Sequence, residues 1–321
     1  MARQGFVNGL HYAPNESAPE DVTAADLMRT ADLVRAGLAG SLRSYRMQAF
    51  DGRIRRLDEI DHGGSPAGYA AAPGEVVNYV ENHDNETLYD INAWKLPLDT
   101  TASERARVQV LAGALNAFSQ GIAYFHAGGE LLRSKSMDRN SYDSGDWFNR
   151  IDWSARDNAF GIGLPPAWDN EASWSLMQPR LADPRLKPSP ADIAWTRDAF
   201  DDLLRIRSSS TLFRLRAAAD VEQRLSFLNT GPGQVPTVIA GHLRGDGYPG
   251  AAFKELLYLV NVDTRAHALR FEGERGKEYV LHPVHRAAGA ADRRAAGEAR
   301  YEAATGTFTV PARTAVVFVV E

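Results

Sequence analysis

The sequence predicts an α/β unit followed by an antiparallel all-β module. Three observations predict it. Capped helical periodicities open at Thr23, Thr101 and Ser189. Apolar runs at 76–82 and 122–126 flank the second of these, and strand, helix, strand in that order argues for a parallel βαβ unit. After Leu212 the helical spacing gives way to short β-type runs divided by Gly and charged turns.

Taken in order, residues 1–22 read as irregular, with Pro14 and Pro19 in a polar stretch. Thr23-Ala-Ala-Asp26 is a capping box, Leu27, Ala31, Val34 and Leu38 follow at helical spacing, and Gly40 is a stop. Residues 51–75 are rich in Gly, Asp and Arg and read as a long loop. A buried strand is expected at 76–82. Thr101-Ala-Ser-Glu104 opens a helix carrying Val108, Leu111, Leu115 and Phe118, and Ile122-Ala-Tyr-Phe-His126 reads as a second buried strand. Residues 129–190 are dense in Trp, Asp, Asn, Gly and Pro, and a loop this long inside a domain is usually functional. Ser189-Pro190-Ala-Asp192 starts a third helix with Ile193, Thr196, Phe200, Leu203 and Leu204 on its buried face. Beyond it, β-type runs are expected at 236–242, 255–262, 267–272, 278–284 and 307–320. The expected division is 1–209 and 210–321.

Composition narrows the function classes. The chain has 321 residues, 44% hydrophobic and 24% charged, which suits a large domain plus a small one. A net charge of −5 disfavours nucleic acid and favours a neutral or small ligand. There is no cysteine, so disulfides, thiolate metal sites and cysteine nucleophiles are excluded. No apolar run approaches the roughly 18 residues of a membrane span, so no membrane partner is expected. Met-Ala-Arg-Gln-Gly shows no signal peptide, and the localisation stays unknown.

The most informative stretch is Tyr79-Val-Glu-Asn-His83-Asp84-Asn85-Glu-Thr-Leu88. A β-branched run ends in polar residues, which delivers His83, Asp84 and Asn85 together at a strand end. In a β/α barrel that is where side chains meet substrate. Such a pair can grip two adjacent sugar hydroxyls or orient a catalytic histidine, and a solvated strand-end turn is the plain alternative. Asn140, Tyr142 and Asp143 lie in the loop after the second strand and supply polar groups and an aromatic face on the same rim. Trp147 is read either as a stacking face or as an anchor packing the loop. His126 reads as a satisfied core histidine before a ligand. Asp138-Arg-Asn140 has the start of a calcium-loop spacing but lacks Gly at its sixth position, so calcium is only a secondary expectation and no metal ligands are assigned.

Four stretches together carry a family resemblance. Val-Glu-Asn-His83-Asp84-Asn85-Glu-Thr-Leu resembles the fourth conserved motif of the α-amylase superfamily, glycoside hydrolase family 13, in the form used by pullulanases and limit dextrinases. Gly121-Ile-Ala-Tyr-Phe-His-Ala-Gly-Gly-Glu130-Leu-Leu-Arg-Ser-Lys135 is similar to that family's eighth barrel strand and following loop. Asn140-Ser-Tyr-Asp-Ser-Gly-Asp-Trp-Phe-Asn-Arg-Ile-Asp152 and Val310-Pro-Ala-Arg-Thr-Ala-Val-Val-Phe318 resemble the next segment and the closing strand of the C-terminal β-domain.

The resemblance implies that 1–209 is the C-terminal part of a (β/α)8 TIM barrel, with strands seven and eight and helices six to eight, and that 210–321 is an antiparallel β-sandwich. It implies a retaining α-1,6-glucosidase acting on pullulan, amylopectin or limit dextrins. It assigns Asp84 as the catalytic carboxylate that holds the ring hydroxyls, His83 as its sugar-binding neighbour, and Asn85, Asn140, Tyr142 and Asp143 as substrate-binding. Only 82 residues precede His83, and none forms the family's nucleophile Asp or acid Glu strand end. The chain alone is therefore expected to be inactive, with the missing N-terminal half of the barrel as a partner. A non-catalytic carbohydrate-binding remnant is the alternative. An unrelated hydrolase using His83 as base would need Ser141 or Ser144 as nucleophile.

Overall fold

The computed structural model describes residues 3–321. Helix α1 (Ala24–Leu38) starts where the capping box puts it: the Thr23 hydroxyl accepts from the Asp26 N–H, and the Asp26 carboxylate accepts the Thr23 N–H at 2.9 Å. Leu27, Ala31 and Leu38 are buried, and Gly40 takes the left-handed φ of 72° that ends the helix. The segment expected as a loop holds two small antiparallel hairpins, β1 (Arg46–Gln48) with β2 (Ile54–Arg56), and β3 (Asp61–His62) with β4 (Ser65–Pro66).

The βαβ unit is present. Strand β5 (Val77–Asn78) leads through α2 (Leu88–Lys95) and α3 (Ala102–Ala117) to β6 (Ile122–Ala123), and the two strands pair in parallel with Val77 opposite Ile122. Both strands are shorter than expected and neither is buried on both faces. Ladder bonds run from the Ile122 N–H to the Val76 oxygen and from the Tyr124 N–H to the Asn78 oxygen, both 2.9 Å. The inner face packs through Val76 and through Phe125, which meets Phe200 edge-to-face at 5.0 Å. The other face leaves Val77, Tyr79, Ile122 and Tyr124 between 38% and 53% exposed. Among the described residues, no layer packs over that face. Helix α2 has no counterpart in the sequence reading; Thr87 caps it, and Tyr89, Ala93 and Trp94 bury its inner side.

Residues 129–190 contain short helices α4 (Gly145–Asn149), α5 (Ala167–Asn170) and α6 (Trp174–Leu181). They close a local core of Trp94, Leu132, Met137, Phe160, Met177 and Ile193. Helix α7 (Pro190–Ser209) begins at the Ser189 capping box. Its buried stripe is Ile193, Thr196, Ala199, Leu203 and Ile206, and Leu204, expected on that face, is exposed.

Next come α8 (Ala218–Arg224) and strands β7 (Leu225–Phe227), β8 (Val238–Arg244), β9 (Glu255–Asn261), β10 (His267–Arg270) and β11 (Val280–Leu281). Helical turns α9 (Pro283–Arg286) and α10 (Arg293–Glu298) precede β12 (Arg300–Glu302), β13 (Thr307–Val310) and β14 (Thr314–Val320). The strands form two antiparallel sheets, ordered β11-β14-β9-β8-β7 and β10-β13-β12. Val238, Leu257, Leu269, Phe308 and Phe318 fill the core between them. The expected run at 278–284 is strand only at β11, because Pro283 starts α9.

The second face of the five-stranded sheet packs on the helices. Ile239, Tyr258, Val260 and Val317 share one core with Leu27, Phe118, Leu203 and Phe213. The Phe118 ring lies 5.2 Å from Tyr258, and Gly241 is required under that tyrosine, because a Cβ there would stand 2.1 Å from its ring. Arg35, fully buried on α1, donates to Asp32, to the Asn229 oxygen and to Gln234 at 2.7–2.8 Å. Hydrophobic packing thus runs across residue 209 without interruption. Among the described residues, no helix is long and apolar enough to cross a membrane.

Candidate functional site

The C-terminal ends of β5 and β6 lie side by side, since the strands are parallel. His83, Asp84 and Asn85 leave β5 there and are exposed. His83 Nε2 and Asp84 Oδ1 are 3.5 Å apart, with side chains 81% and 67% exposed. Both polar groups therefore face outward and are free to meet a ligand. Asn85 has a left-handed φ of 60°, a conformation that asparagine adopts more readily than other non-glycine residues and that suits a tight turn.

The surroundings are specific. The Lys135 ammonium, buried to 1% exposure, donates to the main-chain oxygen of Asn85 at 2.7 Å and of His83 at 3.3 Å. The Lys135 N–H and the Ser134 hydroxyl in turn donate to the two oxygens of buried Asp90 on α2, at 2.7 and 2.5 Å. On the near side, Glu81 accepts the Leu88 N–H at 2.7 Å. Gly129 leaves room for it: a Cβ there would lie 2.5 Å from a Glu81 carboxylate oxygen, so the glutamate would have to shift. The 82–88 turn is held from both strand ends. Burial pushes the Asp90 carboxyl up to about 6 against the pull of its hydrogen bonds, and burial also lowers Lys135 below the usual ammonium range.

The loop after β6 carries the remaining candidates. Ser141–Asp143 is a 3-10 turn. Asn140 is half-buried, and its N–H donates to Asp138 at 3.0 Å. Asp143 is exposed. Tyr142 is 82% exposed, and its ring meets Trp168 edge-on at 5.5 Å. Trp147 is only partly an anchor: its Nε1 donates to the Ile162 oxygen, Arg150 covers one ring face at 4.6 Å, and over half of it is exposed. The link between this loop and the His83–Asp84 turn runs through Lys135.

His126 is half-buried, 4.0 Å from Glu81 and 3.5 Å from the Arg133 guanidinium. The Asp138 oxygens that a calcium reading would enlist accept from Asn140, Asn170 and Ser144. Ser141 and Ser144 donate to Asn149 and Asp138, so neither hydroxyl is paired with His83. Among the described residues, His242, Glu255 and Glu274 could gather around a metal, but the Lys277 ammonium already sits 2.6 and 2.8 Å from their carboxylates. Burial would raise the Glu255 carboxyl, yet its bonds from His242, Lys277 and Tyr279 hold it at about 2.

Sequence reading missed Glu81, Asp90, Ser134 and Lys135 as supports of the turn. Glu81 stood inside the motif. Ser134 and Lys135 end the stretch similar to the eighth strand and its loop, but no local signal gave them or Asp90 this role, because their partners are 44 to 52 residues away.

Residues 155–321 match the family described as alpha-1,6-glucosidases, pullulanase-type, C-terminal. Pullulanase 1, chloroplastic, of Arabidopsis thaliana is 40% identical over 99% of the chain and 34% of its own length. A pullulanase of Klebsiella aerogenes is 41% identical over 72% of the chain and 21% of its own length. The maltotriose complex of PulA from Klebsiella pneumoniae superposes with a TM-score of 0.91 and 34% identity, over 99% of this chain and 34% of that one. The chain thus spans at most about a third of these relatives, and the His83–Asp84 turn lies within the matched part of the Arabidopsis and PulA comparisons.

Proposed function

The chain belongs to the pullulanase-type α-1,6-glucosidases, and from that premise we propose that it forms the C-terminal portion of a starch-debranching enzyme. Residues 1–209 supply strands seven and eight and helices six to eight of a (β/α)8 barrel, and 210–321 the β-sandwich domain. The observation that carries this reading is the exposed His83–Asp84 pair at the end of β5, held by the loop after β6. The bare face of Val77, Tyr79, Ile122 and Tyr124 supports it, since in a closed barrel that face would point inward.

Retaining hydrolysis uses a nucleophile and an acid/base carboxyl about 5–5.5 Å apart. Neither is assigned in this chain. Asp84 acts as a third carboxylate, accepting hydrogen bonds from the 2- and 3-hydroxyls of the glucose whose bond breaks. Those bonds strengthen as oxocarbenium charge develops, so they lower the barrier as well as bind. His83 binds beside it. Asn85, Asn140, Tyr142 and Asp143 line the rim. The ligand is an α-glucan or branched oligosaccharide, a class supported by the maltotriose in the related Klebsiella structure.

The test is debranching by this chain alone and by the chain joined to upstream barrel sequence, or mixed with it in trans. Alone it should release no reducing sugar from pullulan above a buffer blank; completed, it should. Turnover by the isolated chain that survives extensive purification would mean the reacting carboxylates lie within it. A completed protein that binds pullulan without cleaving it would favour a carbohydrate-binding remnant.

A further inference from the structure

We infer that Lys135 is a positioning residue: its buried ammonium sets the main chain on both sides of Asp84 and thereby aims the carboxylate. The inference rests on the reading of Asp84 as the sugar-holding group.

A buried ammonium is costly unless paired. The hydrogen bonds from Nζ go to two main-chain oxygens, those of His83 and Asn85, which are the residues on either side of Asp84. Two hydrogen bonds from one atom fix the carbonyls of His83 and Asn85, between which lie the torsions of Asp84 and Asn85, and so restrict the main chain that carries the Asp84 side chain. This matters here because Asn85 is held at a positive φ and Asp84 itself is exposed. Among the described residues, His83 at 3.5 Å is the one polar side chain recorded against the Asp84 carboxylate. Its direction is therefore set from the main chain beneath.

The lysine is itself fixed. Its N–H and the preceding hydroxyl are bound by Asp90, three residues past the Thr87 cap of α2. The next two residues, Ser136 and Met137, both have left-handed φ values, 52° and 66°, so the loop is over-determined around this side chain. One loop thereby transmits the position of β6 to the turn after β5. Displacing a reacting group by an ångström costs on the order of 100-fold in rate, so a clamp of this kind acts on turnover.

The experiment compares Lys135→Met, Lys135→Gln and Asp84→Asn in the completed enzyme on pullulan. Lys135→Met keeps the length and removes the donor. Lys135→Gln keeps a donor too short to span both oxygens, removes the buried charge and guards against a failure of the first variant to fold. Expected for Lys135→Met is a fall in kcat of roughly 10–100-fold with KM within about threefold, and for Lys135→Gln a smaller fall of the same kind. Amide exchange in the 82–88 segment should quicken at least about tenfold in both, with α3 unchanged. A purely structural lysine would lower the melting temperature and leave kcat of the folded fraction intact. If both variants keep kcat within about twofold while Asp84→Asn is impaired, the inference is overturned and the reading of Asp84 stands. If Asp84→Asn is itself unimpaired, the reading of Asp84 fails and takes this inference with it.

Discussion

The Asp90 carboxylate accepts the main-chain N–H of Lys135 at 2.7 Å, although 45 residues separate them in sequence. Through this contact the helix that follows the His83–Asp84 turn grips the loop that follows β6. The carboxylate is wholly buried, and Lys135 and Arg133 both sense its charge.

Burial raises Asp90 to about 6 from an unfolded value near 4. Between those values the folded state holds a proton that the unfolded state has lost. The stability from this group is therefore fully present below about pH 4 and is lost as pH rises through 6. A shift of two units bounds the effect at about 3 kcal/mol. Urea unfolding of the parent and Asp90→Asn at pH 4, 5, 6 and 7 reads it: the gap between them should narrow as pH rises. A gap independent of pH would mean Asp90 titrates alike in both states.

His282 and His285 act in the opposite sense over an overlapping window. The His282 Nε2 and Ser209 hydroxyl are 2.9 Å apart, and Nδ1 accepts the Val284 N–H. His285 Nε2 accepts the Val317 N–H at 3.2 Å. Burial depresses both to about 4, with the neighbouring charges His285 and Arg286 adding to the effect on His282. A lowered histidine contributes stability that is present above its unfolded value near 6.5 and lost as pH falls through 4. Parent and His285→Gln should differ most above pH 7 and converge towards pH 4. Because Asp90 opposes this trend, the difference between parent and variant is the quantity to measure, not the parent profile.

Asp84→Asn keeps the shape of the side chain and removes its charge. Charge-assisted hydrogen bonds exceed neutral ones by on the order of 1–2 kcal/mol each. Two of them acting mainly in the transition state imply that kcat of the completed enzyme falls roughly 10²–10³-fold. His83→Ala should cost less and show partly in KM. Steady-state debranching kinetics decide; retention of kcat within about threefold in a folded Asp84→Asn enzyme would remove the transition-state role.

The face of Val77 and Ile122 should behave as two different surfaces. In the isolated chain both side chains are half exposed, so Val77→Thr with Ile122→Thr should change stability by no more than about 1 kcal/mol and reduce binding of a hydrophobic dye. In the completed enzyme the same pair should lower the melting temperature, because there the proposed barrel interior covers them. Equal effects in both contexts would show that the face stays open to solvent.

Much of this was legible in the chain. Thr23, Thr101 and Ser189 cap three helices within a residue of their expected starts, because a cap is a contact between positions three apart. β9 and β14 lie within their expected runs and β8 overlaps its own, running two residues past the expected end, since each buries nearly every residue and needs a largely apolar sequence. Strands β7 and β12 escaped notice: Leu225–Phe227 and Arg300–Glu302 are three residues each, too short for a period to register. Helix α2 was hidden by the polar motif that precedes it.

By itself, the sequence determined the capped helices, the β-rich C-terminal third, the strand-end turn carrying His83 and Asp84, and the family resemblance. All of these follow from residues near one another in the chain. Tertiary structure decided that one face of β5 and β6 is bare, that a single core joins Phe118 to Tyr258 across the expected division, and that Lys135 clamps the turn around Asp84. Each depends on which distant segment lies alongside, and on a burial free energy summed over whole surfaces. No local spacing carries that information.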